Sequence, residues 1–217
     1  MARWLVIGIS GVTCGGKSTL ASKLHSLYPN SRILNMDSFF LSPDDPRHTR
    51  APGLTHNNWE RLGAIDTEKW QDTIKSILDS SPESLPADSE NIPNFESTSI
   101  DNDFKPTVPV PAVNKALLIL DGFLALNDSW TASQCDVKFY ITLTKEQCWE
   151  RRKNRHYEPA DIPGYFEACV WPEHLRTKQE VQDISPDVVL IDGSKPRLES
   201  LNLMLTHINA FMAKRDN

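Results

Sequence analysis

The most constraining feature of the sequence is a glycine-rich loop near its N-terminus. Gly11–Ser18 reads Gly-Val-Thr-Cys-Gly-Gly-Lys-Ser and satisfies the pattern G-x-x-x-x-G-K-[ST]. It follows Trp4–Ile9, an apolar run rich in β-branched residues that is typical of a strand buried on both faces. Ser18–Leu27 then carries leucines at helical spacing. A strand, this loop and a helix in that order predict a site for phosphate groups.

Each part of the loop has a chemical reason. Glycines let backbone N–H groups turn inward around phosphate oxygens, and the next helix adds the positive end of its dipole. Lys17 is expected to reach the β- and γ-phosphates of ATP, and Ser18 to ligate Mg²⁺. A glycine-rich turn without a nucleotide is the alternative. The predicted ATP-binding residues are Gly11, Val12, Thr13, Cys14, Gly15, Gly16, Lys17, Ser18 and Thr19.

Further apolar runs predict an α/β fold with a parallel sheet. Ala116–Leu120, Val137–Leu143 and Val188–Ile191 are typical of strands, and segments with helical character separate them. The predicted helices are Asp66–Leu78, Lys145–Arg155, Tyr165–Val181, which Pro172 should bend or begin, and Leu198–Met212.

Length indicates one domain, because 217 residues with 39% hydrophobic content can bury one core but are few for two. The stretch from Ser80 to Asn114 is rich in Ser, Pro, Asp, Glu and Asn and lacks sustained periodicity. We therefore predict a single domain over residues 1–217 with a flexible insertion at about 80–114.

Charge and cysteine usage narrow the partners. A net charge of −6 argues against nucleic acid or an anionic membrane as a partner of the whole molecule. The N-terminal apolar run is too short for a signal peptide, and no run is long enough to span a bilayer. The four cysteines lack the close spacing of zinc or redox motifs. These observations predict a cytoplasmic protein that acts on small molecules and leave its oligomeric state open.

Two aspartates follow predicted strands. Asp37 comes just after Arg32–Asn35, and Asp121 ends the run Leu117–Leu120. Because parallel strands end at the same edge of a sheet, both should lie near the phosphate loop. Asp37 is then a candidate base for an attacking hydroxyl, and both are candidate Mg²⁺ ligands. A turn or a helix cap is the alternative role for each.

Three arginines lie in and after the predicted helix Lys145–Arg155. Arg151 and Arg155 are four residues apart and share a helical face, so both are candidates for a lid over ATP phosphates. A solvated basic face is the alternative.

Taken together, several short motifs resemble the nicotinamide riboside kinase family, a branch near the uridine kinases. The resemblance covers most of the chain except Ser80 to Asn114 and implies a three-layer P-loop α/β sandwich with a helical lid. The motifs are Gly8–Thr13, Asp37–Phe40, Asn58–Glu60, Asp121–Phe123, Arg151–Arg152 with Arg155 and Tyr157, and Pro163–Phe166 leading into Val170–Pro172.

The resemblance also implies a reaction, in which ATP phosphorylates the 5′-hydroxyl of nicotinamide riboside, and of nicotinic acid riboside, in NAD salvage. It assigns Trp59 and Tyr157 to the nicotinamide ring, and Glu60 and Arg152 to the ribose. The adenine-side loop would be Asp192, Gly193 and Ser194. Core packing for Trp59 and capping of the lid by Tyr157 are the alternatives.

The sequence departs from the family pattern at two positions. Glu60 stands where Asp is common, and Asp121 where Glu is also found. Uridine–cytidine kinase is the next hypothesis, with pantothenate and phosphoribulose-type kinases behind it. A GTPase-type switch is the non-kinase alternative, since Asp161–Gly164 spells D-x-x-G, but no N-K-x-D guanine motif accompanies it.

Overall fold

A computed structural model describes residues 4–82, 105–111 and 116–215 of the chain. Within these ranges, five strands form one fully parallel sheet in the order β2-β3-β1-β4-β5. The strands are β1 (Trp4–Gly11), β2 (Ser31–Asn35), β3 (Ala116–Asp121), β4 (Val137–Thr142) and β5 (Val189–Asp192).

Helices cover both faces of this sheet, so the predicted three-layer sandwich is confirmed. One face packs against α1 and α6, and the other against α2, α3 and α5. The helices are α1 (Lys17–Leu27), α2 (Thr67–Asp79), α3 (Ser129–Gln134), α4 (Lys145–Arg152), α5 (Trp171–Ile184) and α6 (Arg197–Arg215).

The central strands hold the sandwich together. Every residue of β1 and of β3 is buried, as their continuous apolar sequences predict. Alternate side chains of β1 point to opposite layers: Leu5 and Ile7 pack with α1 and α6, whereas Trp4 and Val6 pack towards α2. Each such aliphatic side chain contributes about 1.5–3 kcal/mol on burial. The sheet is therefore a rigid base for the loops at its edge.

Three helices differ from the periodicity-based expectation. The predicted helix Lys145–Arg155 ends at Arg152, and the one expected from Tyr165 divides into a π-helical turn, Phe166–Val170, and α5, with Pro172 in the first turn of α5. The short α3 was not predicted, because six residues are too few to show a periodic apolar stripe.

Part of the predicted insertion is described. Asn202 of α6 accepts hydrogen bonds from the backbone N–H groups of Thr107 and Val108 at 3.0 and 3.3 Å, and Asn209 donates to the carbonyl of Pro109 at 3.0 Å. Residues 105–111 thus run along α6, whereas residues 83–104 and 112–115 lie outside the described ranges.

The strand order locates the functional edge. The chain leaves β1 for β2 on one side of the sheet and leaves β4 for β5 on the other. A crevice opens where connections diverge in this way, beyond the carboxyl ends of the strands. None of the helices in the described ranges combines the length and apolarity that a membrane span needs.

Candidate active site

The loop after β1 has a backbone conformation that a side chain at either of two glycine positions would disfavour. Gly11 has φ of +127°, and a Cβ there would lie 2.2 Å from the carbonyl oxygen of Ile141. Gly16 caps α1 in the left-handed region with φ of +95°. The N–H of Val12 donates to the Ile141 carbonyl at 2.9 Å, which ties the loop to β4. The loop therefore keeps the shape of a phosphate cradle.

Lys17 folds back over this cradle. Its Nζ donates to the carbonyl of Val12 at 2.9 Å. Burial lowers the pKa of Lys17, while the nearby carboxylates of Asp121 and Asp37 oppose that shift. A cation in this position, with two acidic groups around it, can bind phosphate oxygens at the mouth of the crevice.

Asn35 aligns the two aspartates, although no predicted role attaches to it. Its side-chain Nδ2 donates to Asp121 Oδ2 at 3.0 Å, and its Oδ1 accepts from the backbone N–H of Asp37 at 2.7 Å. Asn35 and Asp121 are partners across β2 and β3, so the sheet register brings them together. The predicted convergence of Asp37 and Asp121 at the edge therefore occurs.

Asp121 is buried, whereas the Asp37 side chain is exposed within the crevice. Burial raises the pKa of Asp121 to about 6, although hydrogen bonding by Ser18 and the charge of Lys17 lower it. Desolvation by the surrounding protein also raises the pKa of Asp37, against the charges of Lys17 and Arg155. Raised carboxyl pKa values are typical of groups that exchange protons or bind a cation.

These residues suit Mg²⁺. Asp121 Oδ1 is buried and has no hydrogen-bond partner, which is an open ligand position beside Ser18. Among the described residues no group of three or more His, Cys, Asp or Glu side chains is arranged around a metal position. Mg²⁺ bound with a nucleotide keeps waters and phosphate oxygens, so two carboxylates and a hydroxyl are sufficient protein ligands.

Arg152, at the end of α4, organises the opposite wall. A capping box at Thr144 begins α4, so Arg151 and Arg152 fall in its last turn. Arg152 is only 5% exposed, and it donates to Glu60 Oε1 at 3.1 Å and to both carboxylate oxygens of Asp161 at 2.7 and 2.9 Å. Burial raises the pKa of Glu60, which the charge of Arg152 opposes.

Tyr157 lies beneath two guanidinium groups. The Arg152 and Arg155 guanidinium carbons lie 4.3 and 5.5 Å from its ring centroid. Its hydroxyl lies 3.1 Å from Thr13 Oγ1 and 3.2 Å from Cys14 Sγ. Tyr157 therefore links the segment after α4 to the phosphate loop.

Arg151 faces a different part of the edge. It donates to the carbonyls of Cys14 and Gly193 at 3.2 and 3.0 Å, which joins the phosphate loop to the turn after β5. In that turn Asp192 accepts hydrogen bonds from Ser194. Arg155 lies beyond the end of α4, so the predicted sharing of one helical face by Arg151 and Arg155 does not occur.

Trp59 lies on a loop across from the lid. Its backbone N–H donates to the hydroxyl of Tyr165 at 3.0 Å. Its ring makes edge contacts with His48 and Phe40, at centroid distances of 4.4 and 5.7 Å, and Phe40 stacks on Phe123 at 5.9 Å. This cluster gives the crevice an aromatic wall.

One cavity of about 430 Å³ joins these walls. Its lining does not include the predicted residues Gly11, Val12, Gly15, Gly16, Thr19, Arg151, Asp192, Gly193 and Ser194. Its lining includes the predicted residues Thr13, Cys14, Lys17, Ser18, Asp37, Trp59, Glu60, Asp121, Arg152, Arg155 and Tyr157, and also Asn35, Phe40, Phe123, Glu158, Asp161 and Tyr165, which had no predicted role.

Local signals existed for some of the missed residues. Asn35 ends a strand directly before Asp37, and Phe123 follows Asp121 by two residues. The sequence marks Asp161 only as part of D-x-x-G. Its ion pair with Arg152 forms only when the segment after α4 folds back onto that helix.

Three features define the class of this protein as a P-loop kinase. They are the parallel sheet, the phosphate cradle with Lys17 and Ser18, and the adjoining acceptor cavity with Asp37. A model of the AAA domain family matches residues 7–172, which include this core.

The comparisons with known proteins specify the family. The chain is 34% identical over 190 residues to nicotinamide riboside kinase 1 from Homo sapiens, covering 88% of this chain and 84% of that protein. It is 30% identical over 211 residues to nicotinamide riboside kinase 2 from the same organism, covering 97% and 84%. Uridine kinase from Streptococcus gordonii is 25% identical over 224 residues, covering 99% of both. The chain belongs to the nicotinamide riboside kinase family.

Proposed function

We propose that this kinase transfers the γ-phosphoryl group of ATP to the 5′-hydroxyl of nicotinamide riboside, giving the mononucleotide, as in NAD salvage. The observation that carries the proposal is the single cavity that joins the phosphate loop and Asp37 to a wall bearing Trp59, Glu60 and Tyr157. The phosphoryl donor and the acceptor hydroxyl would therefore both lie beside the carboxylate of Asp37.

Residues of the phosphate loop would bind ATP. Backbone N–H groups from Gly11 to Thr19 surround the phosphates, Lys17 contacts the β- and γ-phosphates, and Arg151 and Arg155 close over them. The turn Asp192–Ser194 would lie on the adenine side, and the hydrogen bonds of Arg151 to the Cys14 and Gly193 carbonyls, which hold it against the loop, support this. Ser18, Asp37 and Asp121 would hold Mg²⁺, which supplies charge neutralisation at the transferring phosphoryl group when bound.

Asp37 would accept the proton of the attacking hydroxyl. Its raised pKa makes it a stronger base than an unperturbed aspartate once ionised, and Asn35 orients its backbone. Lys17 stabilises the charge on the phosphate side. Exclusion of water by the lid would favour transfer to the riboside over hydrolysis of ATP.

The acceptor wall also matches the charge of the substrate. Glu60, Asp161 and Glu158 line it, against the two guanidinium groups of Arg152 and Arg155. An acidic pocket beside the aromatic ring of Trp59 favours a pyridinium, which is a permanent cation, over neutral uracil. Glu60 can also accept hydrogen bonds from ribose hydroxyls. Nicotinic acid riboside carries the same pyridinium and would also be an acceptor.

The test is kcat/KM for nicotinamide riboside, nicotinic acid riboside, uridine and cytidine under one set of conditions. We expect kcat/KM for nicotinamide riboside to exceed that for the pyrimidine ribosides by more than about tenfold. Cation–π contacts of the pyridinium with Trp59 and Tyr157, at about 1 kcal/mol each, are sufficient for this difference. A tenfold advantage for uridine or cytidine would instead identify a pyrimidine riboside kinase.

A substitution in the aromatic wall checks the same proposal from the protein side. Trp59→Ala should raise KM for nicotinamide riboside far more than KM for ATP, and it should narrow the gap to uridine. Equal changes for both ribosides would mean that Trp59 only packs the core.

A further inference from the structure

The proposed mechanism leaves one buried acidic side chain unused. Glu173, in the first turn of α5, is 5% exposed. Its carboxylate accepts hydrogen bonds from three donors: Asn58 Nδ2 at 2.9 Å, Arg61 Nε at 2.5 Å and Arg176 Nε at 2.7 Å. Burial would raise the pKa of Glu173, but these three hydrogen bonds hold it below its usual value. It therefore stays ionised within its cage of donors.

Asn58 connects this carboxylate to the acceptor wall. It is 2% exposed, and while its Nδ2 donates to Glu173, its Oδ1 accepts the backbone N–H of Glu60 at 3.0 Å. Its own N–H donates to the carbonyl of Thr49 at 2.7 Å. Both ends of the carboxamide are thus hydrogen-bonded, and its orientation fixes the backbone at Glu60.

Arg61 makes the second connection. It directly follows Glu60 and pairs with Glu173, so the same carboxylate holds the residues on both sides of Trp59 and Glu60. Neither Asn58, Arg61 nor Glu173 lines the cavity itself. Glu173 therefore reaches the site only through the segment that it anchors.

We infer that Glu173 is a positioning residue that holds the acceptor-binding segment Trp59–Glu60 against the cavity through Asn58 and Arg61. The inference rests on the proposed roles of Trp59 and Glu60 in binding the riboside. Among the described residues, no hydrogen bond or ion pair joins Glu173, Asn58 or Arg61 to Lys17, Ser18 or Asp37, so loss of the anchor should change phosphate binding little.

The expected signature is a selective loss of riboside binding. Glu173→Ala should raise KM for nicotinamide riboside by about tenfold, which corresponds to about 1.4 kcal/mol. KM for ATP should stay within about twofold, and kcat should fall less than KM rises, because the lost interaction is made equally before and during transfer. Glu173→Gln keeps an oxygen for Asn58 and should lose only about threefold.

A matched control lies about two turns further along α5. Glu180 also pairs with Arg176 but does not contact Asn58. Glu180→Ala should leave KM for the riboside unchanged, although it removes a carboxylate from the same helix. Asn58→Ala combined with Glu173→Ala should lose less than the sum of the two single losses, because both act on the same segment and share the Asn58–Glu173 hydrogen bond.

Melting temperature and ATP binding separate positioning from folding. If Glu173→Ala fails to fold, Glu173→Gln carries the test alone. Equal rises in KM for ATP and riboside, or a lowered melting temperature with both KM values intact, would overturn the inference. If the unmodified enzyme prefers another riboside, the proposed substrate is wrong, and the same KM comparison with that riboside still decides the role of Glu173.

Discussion

The candidate base and the candidate metal ligand lie where two neighbouring strands end: Asp121 is the last residue of β3, and Asp37 follows the last residue of β2 by two positions. β2 and β3 are paired in register at Asn35 and Asp121, and the Asn35 side chain bonds both to Asp121 and to the backbone of Asp37. A single amide therefore sets the spacing of the candidate base and the candidate metal ligand.

Asp37→Asn tests the base. The substitution removes proton acceptance and one metal ligand while keeping nearly the same shape, so kcat should fall by about 10²–10⁴-fold or more. ATP affinity should change little. Lys17→Ala is the contrasting variant, because it should impair ATP use with every acceptor. A loss of only a few-fold in Asp37→Asn would exclude the role.

The acidity of the same pair predicts a pH dependence. A base or a metal ligand works only when ionised; desolvation raises the pKa of Asp37, and burial raises that of Asp121 to about 6. At limiting Mg²⁺, activity should therefore be lost as pH falls through about 6, well above the pKa of about 3.9 of an unperturbed aspartate, because protons compete with Mg²⁺ for Asp121. The acid limb of the pH profile reports the coupled titration of Asp37 and Asp121 with Lys17, which lies beside both aspartates. A kcat/KM profile whose acid limb lies below about pH 5 would contradict this.

Glu158 predicts how substrate charge is discriminated. It lines the cavity next to Tyr157 and can favour nicotinamide riboside over nicotinic acid riboside, whose carboxylate it repels. Glu158→Gln should reduce the ratio of their kcat/KM values by roughly fivefold, since unit charges 4 Å apart in water interact by about 1 kcal/mol. Glu150→Gln makes the same charge change outside the cavity lining and should leave the ratio unaltered. An unchanged ratio in Glu158→Gln would remove Glu158 from substrate selection.

At the level of elements, the end of α4 directs two adjacent arginines to different parts of the crevice. Arg151 contacts the carbonyls of Cys14 and Gly193, whereas Arg152 pairs with Glu60 and Asp161. Consecutive residues on a helix point about 100° apart, so neighbouring arginines can serve different sites.

This division can be measured with adjacent substitutions. Arg151→Ala should raise KM for ATP, and Arg152→Ala should raise KM for the riboside. Removing Arg152 also leaves Glu60 buried without its cation, which typically costs about 3–5 kcal/mol of stability. Arg152→Lys, which keeps the charge, is the variant to use if alanine does not fold. Identical KM changes in both variants would show that the two arginines act as one lid.

At the level of the whole molecule, α6 holds one end of the predicted insertion. Thr107, Val108 and Pro109 bond to Asn202 and Asn209, and Val108 packs against the core. Residues 105–111 therefore belong to the packed domain.

Two deletions test this boundary. Excising residues 83–104 with a short Gly/Ser linker should leave turnover nearly unchanged, because the composition of that stretch offers little apolar surface for a core. Extending the deletion to Pro109 should lower the melting temperature, since it removes the contacts with α6. A shorter deletion that abolishes activity in a folded protein would assign residues 83–104 a role at the acceptor site.

The phosphate loop, the parallel sheet and the convergence of Asp37 and Asp121 were predictable from local patterns. A G-x-x-x-x-G-K-S loop after an apolar strand has one backbone shape, and parallel strands end at one edge. Strand and helix positions were close for the same reason: apolar periodicity is local. The ends of helices were less predictable, as α4 shows, because the chain after Arg152 follows contacts of Tyr157 with Thr13.

Contacts between distant residues depended on the folded chain. Asn58 and Glu173 are 115 residues apart, and Glu60 and Arg152 are 92 apart, yet each pair is buried and hydrogen-bonded. No local pattern specifies such partners, because burial of a charged group is tolerated only where packing supplies its counter-charge. The motifs of the sequence therefore determine which phosphate chemistry this protein can perform, and the packing of α4 and α5 against the acceptor loop determines how its second substrate is held.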